Sequence, residues 1–245
     1  MGEPFTLAAL EKAREILGLT IKQETQNVGR KTPDSRREEV QILDAGCGTG
    51  EDFRLFKTVF PEALIVGLDS SKKALEKAKA TGLAQEMFET NILSIEERLT
   101  TSLQKRFDIV FVKSVLMHLN LAPKWLRFFG FIGFPGAKKA VANLGDQGVQ
   151  KALSNLKNCL KPQGLIIAIE PNYQPMACPF KEFWVFKKYL IFTMKKFGID
   201  PNIGTKLNIH IKKAGYTVIH NMTVALTLKP KDKGWEIISM LYTVC

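Results

Sequence analysis

Short apolar runs alternate along the chain with stretches that are apolar on one face only. Val40 to Ala45 is the first run, and Asp52 to Val59 follows it with helical spacing up to Pro61. Ala63 to Leu68 is the second run, and Lys72 to Thr81 the next helical stretch, with Ser70 or Ser71 to cap it and Gly82 to end it. A third strand is predicted near Glu86 to Thr90 and a third helix over Ile95 to Gln104. Arg106-Phe107-Asp108 leads into a fourth strand, Ile109 to Val112. Further on, Val149 to Leu160 predicts a helix, Lys161-Pro162-Gln163-Gly164 a turn, and Leu165 to Ile169 a fifth strand. Gly204 to Ala214 predicts a helix, and Thr217 to His220 and Val224 to Leu228 a closing pair of strands. Helices and strands that alternate in this way imply an α/β fold: a doubly wound, mostly parallel, seven-stranded sheet with helices on both faces.

Four stretches fall outside that rhythm. Pro4 to Leu17 predicts an amphipathic helix that either closes over a ligand site as a lid or packs on the sheet edge. Gln23 to Glu39 is polar, carries Gly29 and Pro33, and reads as a connector. Residues 1–39 therefore form an N-terminal helix and connector, 40–228 the main domain, and 229–245 a C-terminal helix centred on Lys233 to Val244. Within the main domain, 120–148 and 171–200 are rich in aromatic residues. The first of these segments holds Trp125, Phe128, Phe129, Phe131 and Phe134 among Gly130, Gly133, Pro135 and Gly136, too many breakers for a core helix. It reads as a wall or lid over a substrate, as a surface that touches a membrane beside Lys124, Arg127, Lys138 and Lys139, or as a packed insertion. In the second segment, Glu182 to Phe197 predicts a helix that mixes aromatic and basic residues.

Charge widens the choice of partners. The net charge is +11, compatible with nucleic acid, an anionic membrane or an acidic substrate as well as with a lysine-rich enzyme. The four cysteines are scattered and only three histidines occur, so a structural zinc site is not expected and the thiols suit a cytoplasmic protein. Glu3, Glu11, Lys12, Arg14 and Glu15 interrupt any leader-like apolar core, and no run of eighteen apolar residues is present.

The chemistry concentrates where the first strand ends. Gln41-Ile42-Leu43-Asp44 runs into Ala45-Gly46-Cys47-Gly48-Thr49-Gly50, and the second strand ends in Asp69-Ser70. Glycines admit a ligand close to the backbone, and an acid at the next strand tip accepts hydrogen bonds from ribose hydroxyls. Asp44 places negative charge where a pyrophosphate would sit, which disfavours a dinucleotide and suits a cationic or zwitterionic ligand.

This stretch resembles motif I of the class I S-adenosylmethionine-dependent methyltransferases, whose fold is Rossmann-like. The resemblance extends over about Val40 to Leu228 and includes the Leu-Lys-Pro-x-Gly turn at Leu160 to Gly164 and the Lys-Lys-Ala-Gly-Tyr ending at Lys212 to Tyr216. It implies S-adenosylmethionine as cofactor. Asp44, Gly46, Cys47, Gly48 and Gly50 would border its methionyl part, Asp69 and Ser70 its ribose, and Asn91 and Ile92 its adenine. Lys113 and Ser114 lie at the tip of the fourth strand, on the same edge.

The acceptor is less constrained. Lys113-Ser114-Val115-Leu116-Met117-His118-Leu119 resembles the small-molecule branch of that family, not the Asn/Asp-Pro-Pro-Tyr signature of enzymes that methylate bases. Glu170-Pro171-Asn172-Tyr173 is a near match, but it follows the fifth strand. His118 is the candidate base where the acceptor must lose a proton, because an imidazole titrates near neutrality. Glu170 and Tyr173 are candidates to orient the acceptor. Each of the three has a purely structural alternative. The expected activity is methyl transfer to an oxygen or nitrogen of a small, partly apolar molecule. An RNA or protein methyltransferase and a non-catalytic cofactor-binding subunit are the other readings.

Overall fold

In a parallel sheet covered on both faces, every side chain of a central strand is buried, and successive residues serve opposite layers. The computed structural model describes residues 3–27, 39–95, 102–134, 136–173 and 181–223 and contains such a sheet. Its strands are β1 (Gln41–Ala45), β2 (Leu64–Asp69), β3 (Glu86–Glu89), β4 (Phe107–Lys113) and β5 (Leu160–Ile169). They pair in the order β3-β2-β1-β4-β5, and every pairing is parallel. Leu43 lies between Val66 and Val110, and Ile42 between Ile65 and Ile109. The first trio belongs to one buried cluster and the second to another, so the alternation of side chains builds two cores.

The helices are α1 (Glu3–Asn27), α2 (Phe53–Val59), α3 (Lys72–Ala80), α4 (Lys124–Phe131), α5 (Ala137–Cys159), α6 (Lys181–Lys196) and α7 (Ile203–Lys213). One core joins Ile42, Ile65, Ile109 and Phe111 to Leu10 of α1, Phe53 and Phe56 of α2, and Leu75 and Ala78 of α3. The Phe56 and Phe111 rings meet edge to face, with centroids 5.0 Å apart. The other core sets Leu43, Val66 and Val110 against Ala152, Leu153 and Leu156 of α5, Met194 of α6, and Ile203 and Ile211 of α7. Each buried Val, Leu or Ile side chain among them contributes about 1.5–3 kcal/mol of transfer free energy.

The strand order starts at the centre, runs out to β3, and returns to the far side of β1. Between β1 and β4 the chain departs in opposite directions, and ligands of such sheets bind at the strand C-termini beside that switch point. The Asp44 to Gly50 loop leaves β1 there, next to Lys113 on β4.

Several expectations need correction. The sheet has five strands among the described residues, not seven. Thr217 to His220 joins no ladder, and the strand it would pair with, Val224 to Leu228, lies outside the described residues, as does the C-terminal helix over 229–245. Most of the Ile95 to Gln104 helix is also outside them. The 120–148 segment is largely helical: it contains α4 and the first half of α5, which starts at Ala137 rather than Val149. Gly130, Gly145 and Gly148 mark close approaches, whereas Gly133 and Gly136 have open space around them. A Cβ on Gly148 would lie 1.8 Å from the Leu119 carbonyl oxygen, so glycine lets α5 press against the chain after β4. Lys161 to Gly164 is a bulge within β5: Leu160 pairs with Phe107, Leu165 with Ile109, and Lys161 reaches both Asp108 oxygens at 3.0 Å. Finally, α1 runs on to Asn27, because no proline interrupts it and Gly18 is tolerated in a helix. It rests against α2 and β5, with Leu10 and Ala13 buried.

Candidate active site

The glycine loop closes on the tip of β2. Gly46 and Cys47 donate their N–H groups to the Leu68 carbonyl at 2.6 and 3.0 Å, and Gly48 donates to Asp69 Oδ2 at 2.9 Å. Gly46, Gly48 and Gly50 have φ of +87, +53 and +78°, the left-handed region that glycine adopts without strain. Their surroundings differ. Cβ atoms on Gly46 and Gly50 would strike Val115 and Phe53, but nothing lies within 4 Å of the position a Cβ would take on Gly48. Gly48 therefore offers open backbone, while its neighbours pack the loop down.

Asp69 uses both oxygens, since Oδ1 accepts from Ser71 N–H at 2.8 Å. Ser71, not Ser70, caps α3, accepting from Ala74 N–H at 3.3 Å, and Ser70 is left exposed beside Asp69. Cys47 is buried. Burial, with the charges of Asp44 and Asp69, pushes its thiol up to about 12, so it is a neutral lining group and not a nucleophile.

Asp44 is the unusual group. It is 2% exposed, and its Oδ2 has no hydrogen-bond partner. Burial holds its pKa well above the usual carboxylate range; Asp52 and Asp69 add to the rise and Lys113 opposes it. Lys113 Nζ is paired with Asp52 Oδ1 at 2.5 Å across the β4 tip and the start of α2. A second orphan, the buried Thr90 hydroxyl, sits at the end of β3, where Thr90 N–H donates to the Asp69 carbonyl. Orphaned buried oxygens beside an open glycine backbone are what a bound zwitterion would satisfy. S-adenosylmethionine, with one ammonium, two ribose hydroxyls and an adenine, fits that donor and acceptor set.

Asn91 and Ile92 continue the edge. Asn91 Oδ1 accepts from Leu93 N–H at 2.9 Å and caps the short turn Ile92–Ser94. Ile92 is buried, and its carbonyl accepts from Asn155 Nδ2 on α5 at 2.9 Å. The turn is thus fixed to α5, with which Ile92 shares a core.

Beyond β4 lies a second group of residues. Ser114 is exposed with φ +56°, and the chain then makes a tight turn over Leu116–His118. Glu170, at the tip of β5, holds this turn. Its Oε1 accepts from Val115 and Leu116 N–H at 2.9 and 2.7 Å, and its Oε2 from Met117 N–H at 3.3 Å. Burial pushes the Glu170 carboxyl up to about 7 against the pull of these three donors. Leu116 and Met117 point inward, whereas His118 is exposed at the rim. Partial desolvation lowers the His118 pKa below the ordinary imidazole value. Tyr173 is half-buried, and burial followed by the Glu170 charge raises its phenol. The segment that opens α7 completes the group: Asp200 N–H donates to the Met117 carbonyl at 2.9 Å, Tyr173 N–H to the Pro201 carbonyl at 3.0 Å.

The candidate residues therefore fall into two sets on one edge of the sheet. Asp44 to Gly50, Asp69, Asn91 and Lys113 occupy the β1-β2-β3-β4 tips, and His118, Glu170 and Tyr173 the β4-β5 tips. The sequence reading missed Asp52, Thr90 and Asp200. Asp52 looked only like a helix start, yet it makes no side-chain cap and turns to Lys113. The roles of Thr90 and Asp200 depend on burial and on a contact between distant segments, for which the sequence carries no signal.

Several known proteins are similar to parts of this chain. The curated trans-aconitate 2-methyltransferase of Deinococcus radiodurans is 37% identical over 90 residues, 37% of this chain and 32% of that protein. The enzyme of the same name from Methylobacterium radiotolerans is 32% identical over 103 residues, 40% of this chain and 36% of that protein. The matched stretches thus span about a third of the length of these curated relatives. A solved plantazolicin methyltransferase with SAH bound has 16% identity and a TM-score of 0.45, covering 86% of this chain and 64% of that one. A family model described as "Methyltransferase domain" matches residues 36–196, well over half of the chain. The chain belongs to that methyltransferase-domain family, the S-adenosylmethionine-dependent methyltransferases of Rossmann-like α/β fold.

Proposed function

We propose that the protein transfers a methyl group from S-adenosylmethionine to an oxygen or nitrogen of a small, partly apolar molecule. The reading rests on the turn after β4, which Glu170 holds at the β5 tip and which carries an exposed imidazole of lowered pKa. Such an imidazole is neutral near pH 7 and is ready to accept a proton. The small-molecule acceptor in the names of the curated relatives supports the same class of substrate.

When bound, S-adenosylmethionine supplies a methyl group on a sulfonium sulfur that leaves as a neutral thioether. The chain's own work is to hold, align and keep water out. Asp44 would accept from the methionyl ammonium, and Gly46 to Gly50 would border the methionyl chain. Asp69 would add the ribose hydroxyls to its existing donors. Asn91 would use its second lone pair for the adenine amino group, with the Ile92 backbone against the ring. Lys113, held by Asp52, would offset the acidic charge. His118 would take the acceptor's proton, Tyr173 would donate a hydrogen bond to the acceptor, and Glu170 would hold the turn that carries His118. Cys47 and Cys159 are buried free thiols, which suits a cytoplasmic enzyme.

An RNA or protein methyltransferase is the second reading, favoured by the net charge of +11. Incubation with methyl-labelled S-adenosylmethionine and a fractionated cell extract separates the two. Label in the small-molecule fraction is expected. Label confined to RNA or protein would replace this reading with the second, and cofactor binding without any labelled product would leave a non-catalytic subunit.

A further inference from the structure

The helix α6 has two unlike faces. Phe183, Leu190 and Met194, at steps of seven and four, pack into the domain. The opposite side carries Trp184, Val185, Tyr189 and Phe192, exposed by 47, 70, 65 and 45%. Exposed Lys188, Lys195 and Lys196 stand among them, since 184, 188, 192 and 195 share one side of the helix. A helix facing water alone would not place its aromatics outward. The surface continues past the helix: Phe197 is exposed, and Arg127 of α4 donates to its carbonyl at 3.5 Å. Exposed Phe128 lies on α4, one residue from Arg127, and exposed Ile132 and Phe134 follow.

The charge of these segments has one sign. Residues 119–145 contain Lys124, Arg127, Lys138 and Lys139 and no acid; residues 183–199 contain Lys187, Lys188, Lys195 and Lys196 and no acid. We infer that this aromatic and basic surface docks the protein on an anionic lipid bilayer. Aromatic rings favour the headgroup level, and lysines reach the anionic groups while their stems cover apolar area. A protein partner fits less well, because lysine is depleted from protein interfaces. Nucleic acid also fits less well: the cations on the outward face of α6 are lysines without arginine's planar fork, and an aliphatic Val185 offers no stacking. The helix lies on the bilayer and does not cross it: no described helix is long and apolar enough to span a membrane.

The test is sedimentation of the full chain with phosphatidylcholine vesicles, alone or with about 30 mol% phosphatidylserine. Binding should favour the anionic vesicles about tenfold or more and weaken as salt is raised. The triple variants W184S/Y189S/F192S and K188E/K195E/K196E should each lower it about tenfold or more, with unchanged circular dichroism and melting temperature. Equal binding to both vesicle types, or anionic binding that survives both triples, would overturn the proposal. So would tighter binding to single-stranded RNA than to vesicles, lost in both triples, which would make the surface a nucleic-acid site.

Discussion

Replacing Asp44 by Asn should stabilise the ligand-free protein and, at the same time, weaken its hold on the cofactor. The carboxyl is 2% exposed and its Oδ2 has no hydrogen-bond partner, so its charged form is poorly solvated. Burial raises its pKa above the value of 3.8 expected in the unfolded chain, with Asp52 adding to the rise. The contribution of a raised group to stability is complete below the unfolded pKa and is lost as pH climbs through the folded one. Asn imitates the neutral form at every pH. The melting-temperature gap between variant and parent should therefore open above pH 3.8 and level off beyond the raised value. Binding shows the opposite preference, because the methionyl ammonium needs the ionised form. Loss of one charge-assisted hydrogen bond costs about 1.5–3 kcal/mol. At 1.4 kcal/mol per decade, that is roughly ten- to 150-fold in Kd. Calorimetry with S-adenosylhomocysteine, which keeps the ammonium, measures the second effect, and calorimetric melting without ligand the first. For the parent, Kd should tighten as pH rises toward the raised pKa, and for D44N it should stay flat. Unchanged affinity in D44N would refute the ammonium assignment. A lower melting temperature for the variant would refute the electrostatic argument.

Other substitutions probe the remaining contacts. Asp69→Ala should weaken cofactor binding by roughly 1–3 kcal/mol, and an unaltered calorimetric Kd would count against the ribose role. His118→Ala should lower kcat about 10²- to 10⁴-fold with S-adenosylhomocysteine affinity intact, and an undiminished rate would remove His118 as base. Glu170, raised to about 7, stabilises the fold fully below pH 4.5 and loses that contribution as pH rises through 7. Denaturation of Glu170→Gln across this range should lack the parental slope; a parallel curve would show that the carboxyl does not titrate there. Gly148→Ala should cost about 1–3 kcal/mol or more, read from the urea midpoint, because its Cβ would meet the Leu119 carbonyl. A midpoint equal to the parent's would mean that α5 can move away at no cost.

The contact between the glycine loop and Asp69 was legible in the sequence because its parts are local. Strand, glycine loop and acid succeed one another within Gln41 to Asp69, and the order of types alone fixes which strand tips they occupy. The helical part of 120–148 was hidden because Gly130, Gly133, Pro135 and Gly136 read together as breakers, whereas Gly130 is taken into α4 and Gly133 and Gly136 fall between α4 and α5. Similarly, Leu-Lys-Pro-x-Gly reads as a turn, and only the register between Phe107 and Ile109 shows that the strand resumes on either side of it. Glu170 stood out by position but not by role, since three backbone donors lie more than fifty residues away in sequence.

That separation has a consequence for how the molecule assembles and diverges. Gly48 finds Asp69 after closing a loop of 21 residues, whereas the turn carrying His118 waits for a partner 53 to 55 residues downstream. Closing the longer loop costs more chain entropy, so during synthesis the donor half can form before the acceptor half has its anchor. The two halves then answer to different stretches of chain. On the proposed assignment, changes in 114–118, 170–173 and 200–204 would retarget the acceptor while the cofactor loop stays as it is.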